Sequence, residues 1–99
     1  MLDKLTEAAF AAHLNQKFHI HYGESESLET ELIEVSNMKS DSTAEDREPF
    51  SIILRSSMKD SYLLQNTYKV EHDEMGTLEL FLVPLGADEH GFRYEAVFN

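Results

Sequence analysis

Regular alternation of apolar and polar residues begins at residue 17, and it predicts β-strands. In Lys17–Tyr22, Phe18, Ile20 and Tyr22 fall on one face, while Lys17, His19 and His21 fall on the other. Segments with similar strand character follow at Leu28–Val35, Phe50–Arg55, Tyr68–His72, Leu78–Leu85 and Phe92–Phe98. We therefore expect about six strands, and the short links between most of them favour antiparallel pairing.

A short helix is predicted ahead of the strands, over Thr6–His13. The segment contains four alanines, which favour helix, and Thr6 is a suitable N-cap residue. Glu7 would lie at the positive end of the helix dipole. An isolated helix of this length is marginally stable in water, so we expect it to pack against the sheet.

Two strands depart from simple alternation. The apolar positions of Leu28–Val35 change parity at Ile33, which indicates either a β-bulge or a strand end buried on both sides. Ile52–Leu54 and Leu80–Val83 carry apolar residues on both faces, which predicts central strands covered on both sides. Between strands, Asp73–Gly76 is predicted to form a tight turn with Gly76 at positive φ.

Together these elements predict a mainly β fold in which the short N-terminal helix precedes about six antiparallel strands. We expect a meander that forms a strongly curled sheet or a small barrel, with the helix covering one face or end. The longest loop is the acidic segment Asn37–Glu48, and a shorter irregular segment, Ser56–Asn66, offers Tyr62, Leu63 and Leu64 to anchor it. A boundary in the acidic loop would leave two pieces too small to fold alone, so residues 1–99 are read as one domain.

Composition narrows the possible partners. The 99 residues include 19 acidic and 8 basic ones, for a formal net charge of −11. Nucleic acids and anionic membrane surfaces are bound mainly through Lys and Arg, so neither is expected as a partner. No apolar run is long enough for a membrane helix and no signal peptide is visible, which favours the cytoplasm. The absence of cysteine excludes disulfides and thiol-based sites.

Several segments in the C-terminal half of the chain resemble those of a known protein family. Thr67–His72, Leu78–Gly86 and the ending Tyr94-Glu95-Ala96-Val97-Phe98-Asn99 resemble an uncharacterised family of small, stand-alone bacterial domains. Where that family favours Pro-Gln-Gly, this chain has Leu64-Gln65-Asn66. The resemblance implies a bacterial origin and a compact β-rich domain, and it implies no catalytic residue or cofactor.

His19 and His21 form the strongest metal candidate, because two histidines at i and i+2 project from the same side of a strand. A third ligand would have to come from a neighbouring strand, for example Glu29 or Glu31. The alternative is a polar outer face, since Lys17 shares it.

His72 differs from these because it shares a face with Tyr68 and Val70. It could serve as a general base with Glu71 or Asp73, or as a structural histidine held by hydrogen bonds, and we favour the structural role. His90 is expected in an exposed turn, and His13 near the negative end of the helix.

No nucleophile elbow, phosphate loop, dinucleotide fingerprint or calcium loop occurs in the sequence. The expected function is a non-catalytic module that binds an unidentified protein or forms part of an assembly, supported by the acidic surface and by expected open strand edges. The alternative is a small metal-dependent enzyme or metal-binding protein that uses His19 and His21.

Overall fold

The computed structural model describes residues 6–37, 49–58 and 61–98. One helix, α1 (Glu7–Ala11), is followed by six strands: β1 (Lys17–His21), β2 (Ser27–Asn37), β3 (Phe50–Ser56), β4 (Asn66–His72), β5 (Gly76–Ala87) and β6 (Phe92–Phe98). The predicted helix and strands are confirmed, although α1 ends two residues early. Residues 38–48 of the predicted acidic loop lie outside the described residues.

The six strands form a closed antiparallel barrel in the order β1-β2-β3-β6-β5-β4, with β4 pairing back to β1. The predicted mainly β fold is confirmed, and of the two predicted forms, a strongly curled sheet or a small barrel, the structure has the closed barrel. The strand order shows two three-stranded meanders, β1–β3 and β4–β6, rather than one continuous meander. The link between β3 and β4 therefore has to cross one end of the barrel.

Closure removes the strand edges that the sequence led us to expect. Each described strand has two antiparallel neighbours, and β1 meets β4 through the pairs His19–Glu71, Ile20–Val70 and His21–Lys69. The expectation of open edges is wrong for the part of the chain that the structure describes, because a closed barrel satisfies both sides of every strand. Binding by strand addition is thus disfavoured.

The helix closes one end of the barrel, which we call the base, where β1 and β3 begin and β6 ends. Phe10 is 0% exposed, and its ring lies 5.3 Å from that of Phe98, 6.0 Å from Phe50 and 6.4 Å from Phe18, centroid to centroid. The Thr6 hydroxyl accepts a hydrogen bond from the Ala9 N–H at 3.1 Å, as predicted for an N-cap. The opposite end, where β1 ends and β4 begins, is the top end.

Inward side chains at alternate strand positions fill the barrel. The buried apolar residues are Phe10, Phe18, Ile20, Leu32, Phe50, Ile52, Leu54, Val70, Leu80, Leu82, Tyr94 and Ala96. The predicted parity change in β2 is a bulge between Leu32 and Glu34, and Gly76 has φ +78° as predicted. A second bulge interrupts β5 between Pro84 and Gly86.

The prediction that two central strands are covered on both sides is wrong. Phe81 is 52% exposed, and Ile53 is half-buried. A closed barrel has a single interior, so the outer face of each strand lacks the second layer that an α/β sheet would supply. Within the described residues, no helix has the length and apolar character needed to cross a membrane.

Candidate functional site

The histidine pair lies on the outer face of β1, as its spacing predicts. His19 is directly opposite Glu29 on β2 and Glu71 on β4. Both carboxylates already have partners: Glu29 bonds the Lys17 ammonium, and Glu71 Oε1 lies 2.9 Å from His21 Nε2. The hydrogen bond and charge of Lys17 lower the pKa of Glu29.

These side chains do not assemble into a metal cage. Among the described residues, no three His, Asp or Glu side chains are grouped so that they could hold a metal ion. Metal binding by His19 and His21 therefore stays a prediction. A zinc titration of the untagged protein, followed by the ring signals of both histidines, checks it, and the lack of a saturable shift would contradict it.

His72 is 4% exposed and lies at the base, where both of its ring nitrogens are engaged. Nδ1 accepts hydrogen bonds from the N–H groups of Glu74 (3.0 Å) and Met75 (3.2 Å), which fixes the β4–β5 turn. This pattern assigns the remaining proton to Nε2, which donates to Gln16 Oε1 at 2.7 Å. The neutral ring thus links the turn to the segment between α1 and β1.

The surroundings of His72 oppose its protonation. Its ring packs against those of Phe18 (4.6 Å) and His13 (4.3 Å), and His13 Nδ1 lies 3.0 Å from the same Gln16 oxygen. Burial and then the neighbouring His13 lower the pKa of His72, while the Asp73 and Glu74 carboxylates act in the opposite direction. The hydrogen bonds of His72 fit the structural role that we favoured from the sequence.

Acidification is expected to destabilise the protein through His72. Because its pKa in the folded state lies below the ordinary value of 6.5, the unfolded chain binds the proton more readily. The free energy of unfolding should hold steady above about pH 6.5 and fall as the pH drops from there toward the folded-state pKa. Urea denaturation at a series of pH values measures this.

The variant His72→Asn supplies the matched control for acidification. Its amide oxygen can still accept from the turn N–H groups, but it does not titrate. Between pH 6.5 and the start of carboxylate titration, we expect the free energy of unfolding of the variant to depend much less on pH than that of the wild type. An unchanged slope in the variant would assign the effect to other groups.

A different surface lies at the top end, where the β3–β4 link crosses the barrel. A groove of about 230 Å³ is lined by Tyr22, Leu28, Met58, Ser61, Tyr62 and Leu63. Tyr22, Met58 and Tyr62 are exposed, and so is the neighbouring Leu64. We call this surface the top groove. The sequence assigned Tyr62, Leu63 and Leu64 to anchoring the link. Leu63 packs against the core and the Tyr62 ring stacks on Phe92, while the Leu64 side chain is exposed.

The link that builds the top groove is held in place by the barrel. The Tyr94 hydroxyl, at the end of a buried side chain, accepts from the Leu63 N–H at 2.9 Å. The Tyr68 hydroxyl donates to the Leu64 carbonyl at 2.6 Å, and the Tyr62 ring stacks on Phe92 with centroids 4.7 Å apart and planes 3° apart. Burial raises the pKa of Tyr94, so its hydroxyl stays neutral near pH 7.

A second apolar area is the outer face of β5 and β6, where Phe81 and Val97 are exposed. Their strands place them beside half-buried Val83 and the polar side chains of Thr67 and Glu95. Unlike the top groove, this area lies on the outer wall of a single sheet. It therefore offers a useful control surface of similar exposure.

The fold and the top groove define a class: a small closed β-barrel with a helix at one end and a preformed apolar surface at the other. The chain belongs to a family described as a domain of unknown function, DUF6916, whose model matches residues 5–98. This confirms the resemblance to an uncharacterised domain family. No curated protein and no solved structure matches the chain.

Proposed function

We propose that the protein is a non-catalytic interaction or assembly module that binds a partner protein through the top groove. The observation that carries this proposal is the fixed, exposed position of Tyr62. Tyr62 is 55% exposed although one face of its ring stacks on Phe92, and the N–H of the next residue, Leu63, donates to the Tyr94 hydroxyl. An aromatic side chain that is both ordered and accessible loses little conformational entropy on binding.

The composition of the top groove is typical of the centre of a protein interface. Tyrosine and methionine are enriched at such centres, and tyrosine is among the residues that contribute most to binding energy. Tyr22, Met58 and Tyr62 line the same groove, and Met58 can adjust its flexible side chain to a partner. Ser61, which also lines the groove, adds a hydroxyl that can donate or accept a hydrogen bond.

The dimensions also favour a protein partner. A groove of about 230 Å³ is smaller than the roughly 300–1,000 Å³ typical of small-molecule sites. It can receive one or two anchoring side chains of a partner, while the exposed Leu64 widens the contact. The closed barrel disfavours strand addition, so side-chain docking is the mode that remains for this surface.

Site-specific photo-crosslinking tests this proposal in the source cells. A benzophenone amino acid at Met58 should give an adduct of one defined mass, and at Phe81 it should give none. Adding Tyr62→Ser to the Met58 probe should remove the adduct, because the stacked ring is lost. Phe81 is the matched control, since its 52% exposure is close to that of Tyr62.

Two results would contradict the proposed function. One is equal crosslinking from Met58 and Phe81, which would indicate non-specific contact. The other is an adduct that persists at full yield when Tyr62→Ser is present.

We further propose that the protein lies in the bacterial cytoplasm, a proposal that rests on the family resemblance and the composition. Fractionation of the source cells with immunoblotting checks this location.

A further inference from the structure

We infer that the top groove takes a basic peptide segment of the partner, in which an apolar side chain is flanked by Lys or Arg. This inference rests on the proposed function and adds the chemistry of the partner. It is carried by two described acidic residues next to the groove in the chain, Glu24 and Glu26, and by the partners of the described cations at the same end.

Two acidic residues belong to the turn that follows Tyr22, one of the residues that line the groove. Tyr22, which lines it, opens the β1–β2 turn, and its N–H donates to the Glu26 carbonyl at 3.1 Å. Glu24 and Glu26 are therefore held in the same tight turn as the Tyr22 ring, and both side chains are exposed. Glu89, in the β5–β6 link at the same end of the barrel, is exposed as well.

Among the described residues, the cations at this end are Arg55, Arg93 and Lys69. Arg55 Nη1 donates to Asp88 Oδ2 at 3.2 Å, so its charge is neutralised locally. Arg93 keeps its charge, but it is half-buried and its Nε donates to the Gly86 carbonyl at 3.4 Å. Lys69 lies opposite Glu79 on β5, which supplies a carboxylate beside it. The chain as a whole carries a net charge of −11, so its overall field attracts cations.

The negative charge of the chain also distinguishes between the molecules that could bind in the top groove. A second copy of this chain would bring another −11 against the same acidic rim, and like charges across an interface are costly. Anionic lipid and nucleic acid are repelled for the same reason. A basic segment with one apolar anchor satisfies both parts of the surface, since the anchor fills the groove while Lys or Arg side chains meet Glu24 and Glu26.

Fluorescence anisotropy with short labelled peptides tests the inference. The probe peptide places Leu and Phe between lysines, and two comparison peptides replace either the apolar residues with serine or the lysines with glutamate. The wild type should bind the probe best, and Tyr62→Ser should weaken binding by about tenfold. The double variant Glu24→Gln/Glu26→Gln should weaken it by about fivefold at low salt, and less at high salt.

Matched controls separate the top groove from the general negative charge. Phe81→Ser removes an equally exposed aromatic ring, and Glu79→Gln/Glu34→Gln removes two exposed carboxylates from the barrel wall. Both should change probe affinity by less than about twofold, the size expected for peripheral contacts. A larger loss in the top-groove variants than in these controls supports the inference.

The remaining outcomes overturn one claim or the other. One outcome is that Tyr62→Ser weakens binding of all three peptides equally and that Glu24→Gln/Glu26→Gln binds the probe as well as Glu79→Gln/Glu34→Gln does. In that case the basic partner is wrong while the proposed function stands. If Tyr62→Ser behaves like Phe81→Ser with every probe, the proposed function itself is wrong. Tyr62-dependent binding to phosphatidylglycerol vesicles, or Tyr62-dependent dimerisation in sedimentation equilibrium, would also overturn the basic-peptide assignment.

Discussion

Replacing Phe10 with alanine is expected to lower the free energy of unfolding by about 3–5 kcal/mol. Phe10 is the buried residue of α1, and its ring contacts those of Phe18, Phe50 and Phe98 at the base. Removal leaves a cavity among aromatic rings held by different strands, which cannot all move inward. A domain of this size has a total free energy of unfolding of about 5–15 kcal/mol, so the variant should lose a large part of it.

The substitution also separates packing from helix propensity. Alanine is the strongest helix former, so the helix itself should not be weakened and the loss would report lost contacts. Leu14→Ala is the matched control, since Leu14 follows the helix but is exposed, and it should cost less than about 1 kcal/mol. Urea denaturation measures both variants. A loss of similar size in both would show that the Phe10 ring does not hold the base together.

The second large effect is expected for Gly91→Ala, with a loss of at least about 3 kcal/mol or failure to fold. An alanine Cβ at this position would lie 1.6 Å from the Ser56 carbonyl oxygen and 2.7 Å from its carbon. These are backbone atoms of β3 at the point where Ser56 pairs with Phe92. Gly91 also has φ +155°, so alanine would be strained even without the clash.

Gly76→Ala is the control for Gly91→Ala. Gly76 also has positive φ, +78°, but a Cβ there meets no atom within 4 Å. Its replacement should therefore show only the backbone cost, about 1–2 kcal/mol. Thermal unfolding of both variants compares them directly. Equal losses would mean that the backbone at Gly91 can move away from Ser56 to admit the methyl group, contrary to a rigid close approach between them.

Hydrogen bonds of Asp88 hold the segment around Gly91 in place at the top end. Asp88 Oδ1 accepts hydrogen bonds from the N–H groups of His90 (2.8 Å) and Gly91 (2.9 Å), and its Oδ2 accepts from Arg55. The bond from His90 is the largest cause of the lowered pKa of Asp88, so this carboxylate stays ionised near neutral pH. The β5–β6 link is thus fixed next to β3, at the same end as the top groove.

Much of the fold could be predicted because its signals are local. The alternation of Phe18 and Ile20 located β1, and Thr6 located the start of the helix. The parity change at Ile33 located an irregularity in β2, with a bulge as one of its two predicted explanations. Each of these depends on the chemistry of neighbouring residues. The error at Phe81 had a different origin, because apolar residues on both faces of a strand do not reveal whether a second layer exists.

The top groove could not be predicted from the sequence, for a related reason. Tyr62, Leu63 and Leu64 are adjacent apolar residues in an irregular segment, where no period tells inward from outward. Their directions depend on the Tyr94 hydroxyl and the Phe92 ring, which lie about thirty positions later in the chain. The apolar cluster in a segment without periodicity was the available signal, and it indicated packing without indicating which side chain stays exposed.

The sequence by itself determined the helix, the strands, the position of the irregularity in β2 and the strongly acidic character, since these follow from residue types and short-range spacing. Only the tertiary structure decided the order in which the strands close, the exposure of Phe81 and the meeting of Tyr22, Met58 and Tyr62 in one groove. Strand order depends on pairings between distant segments such as β1 and β4, whose free energies depend on the whole closed barrel rather than on any one strand.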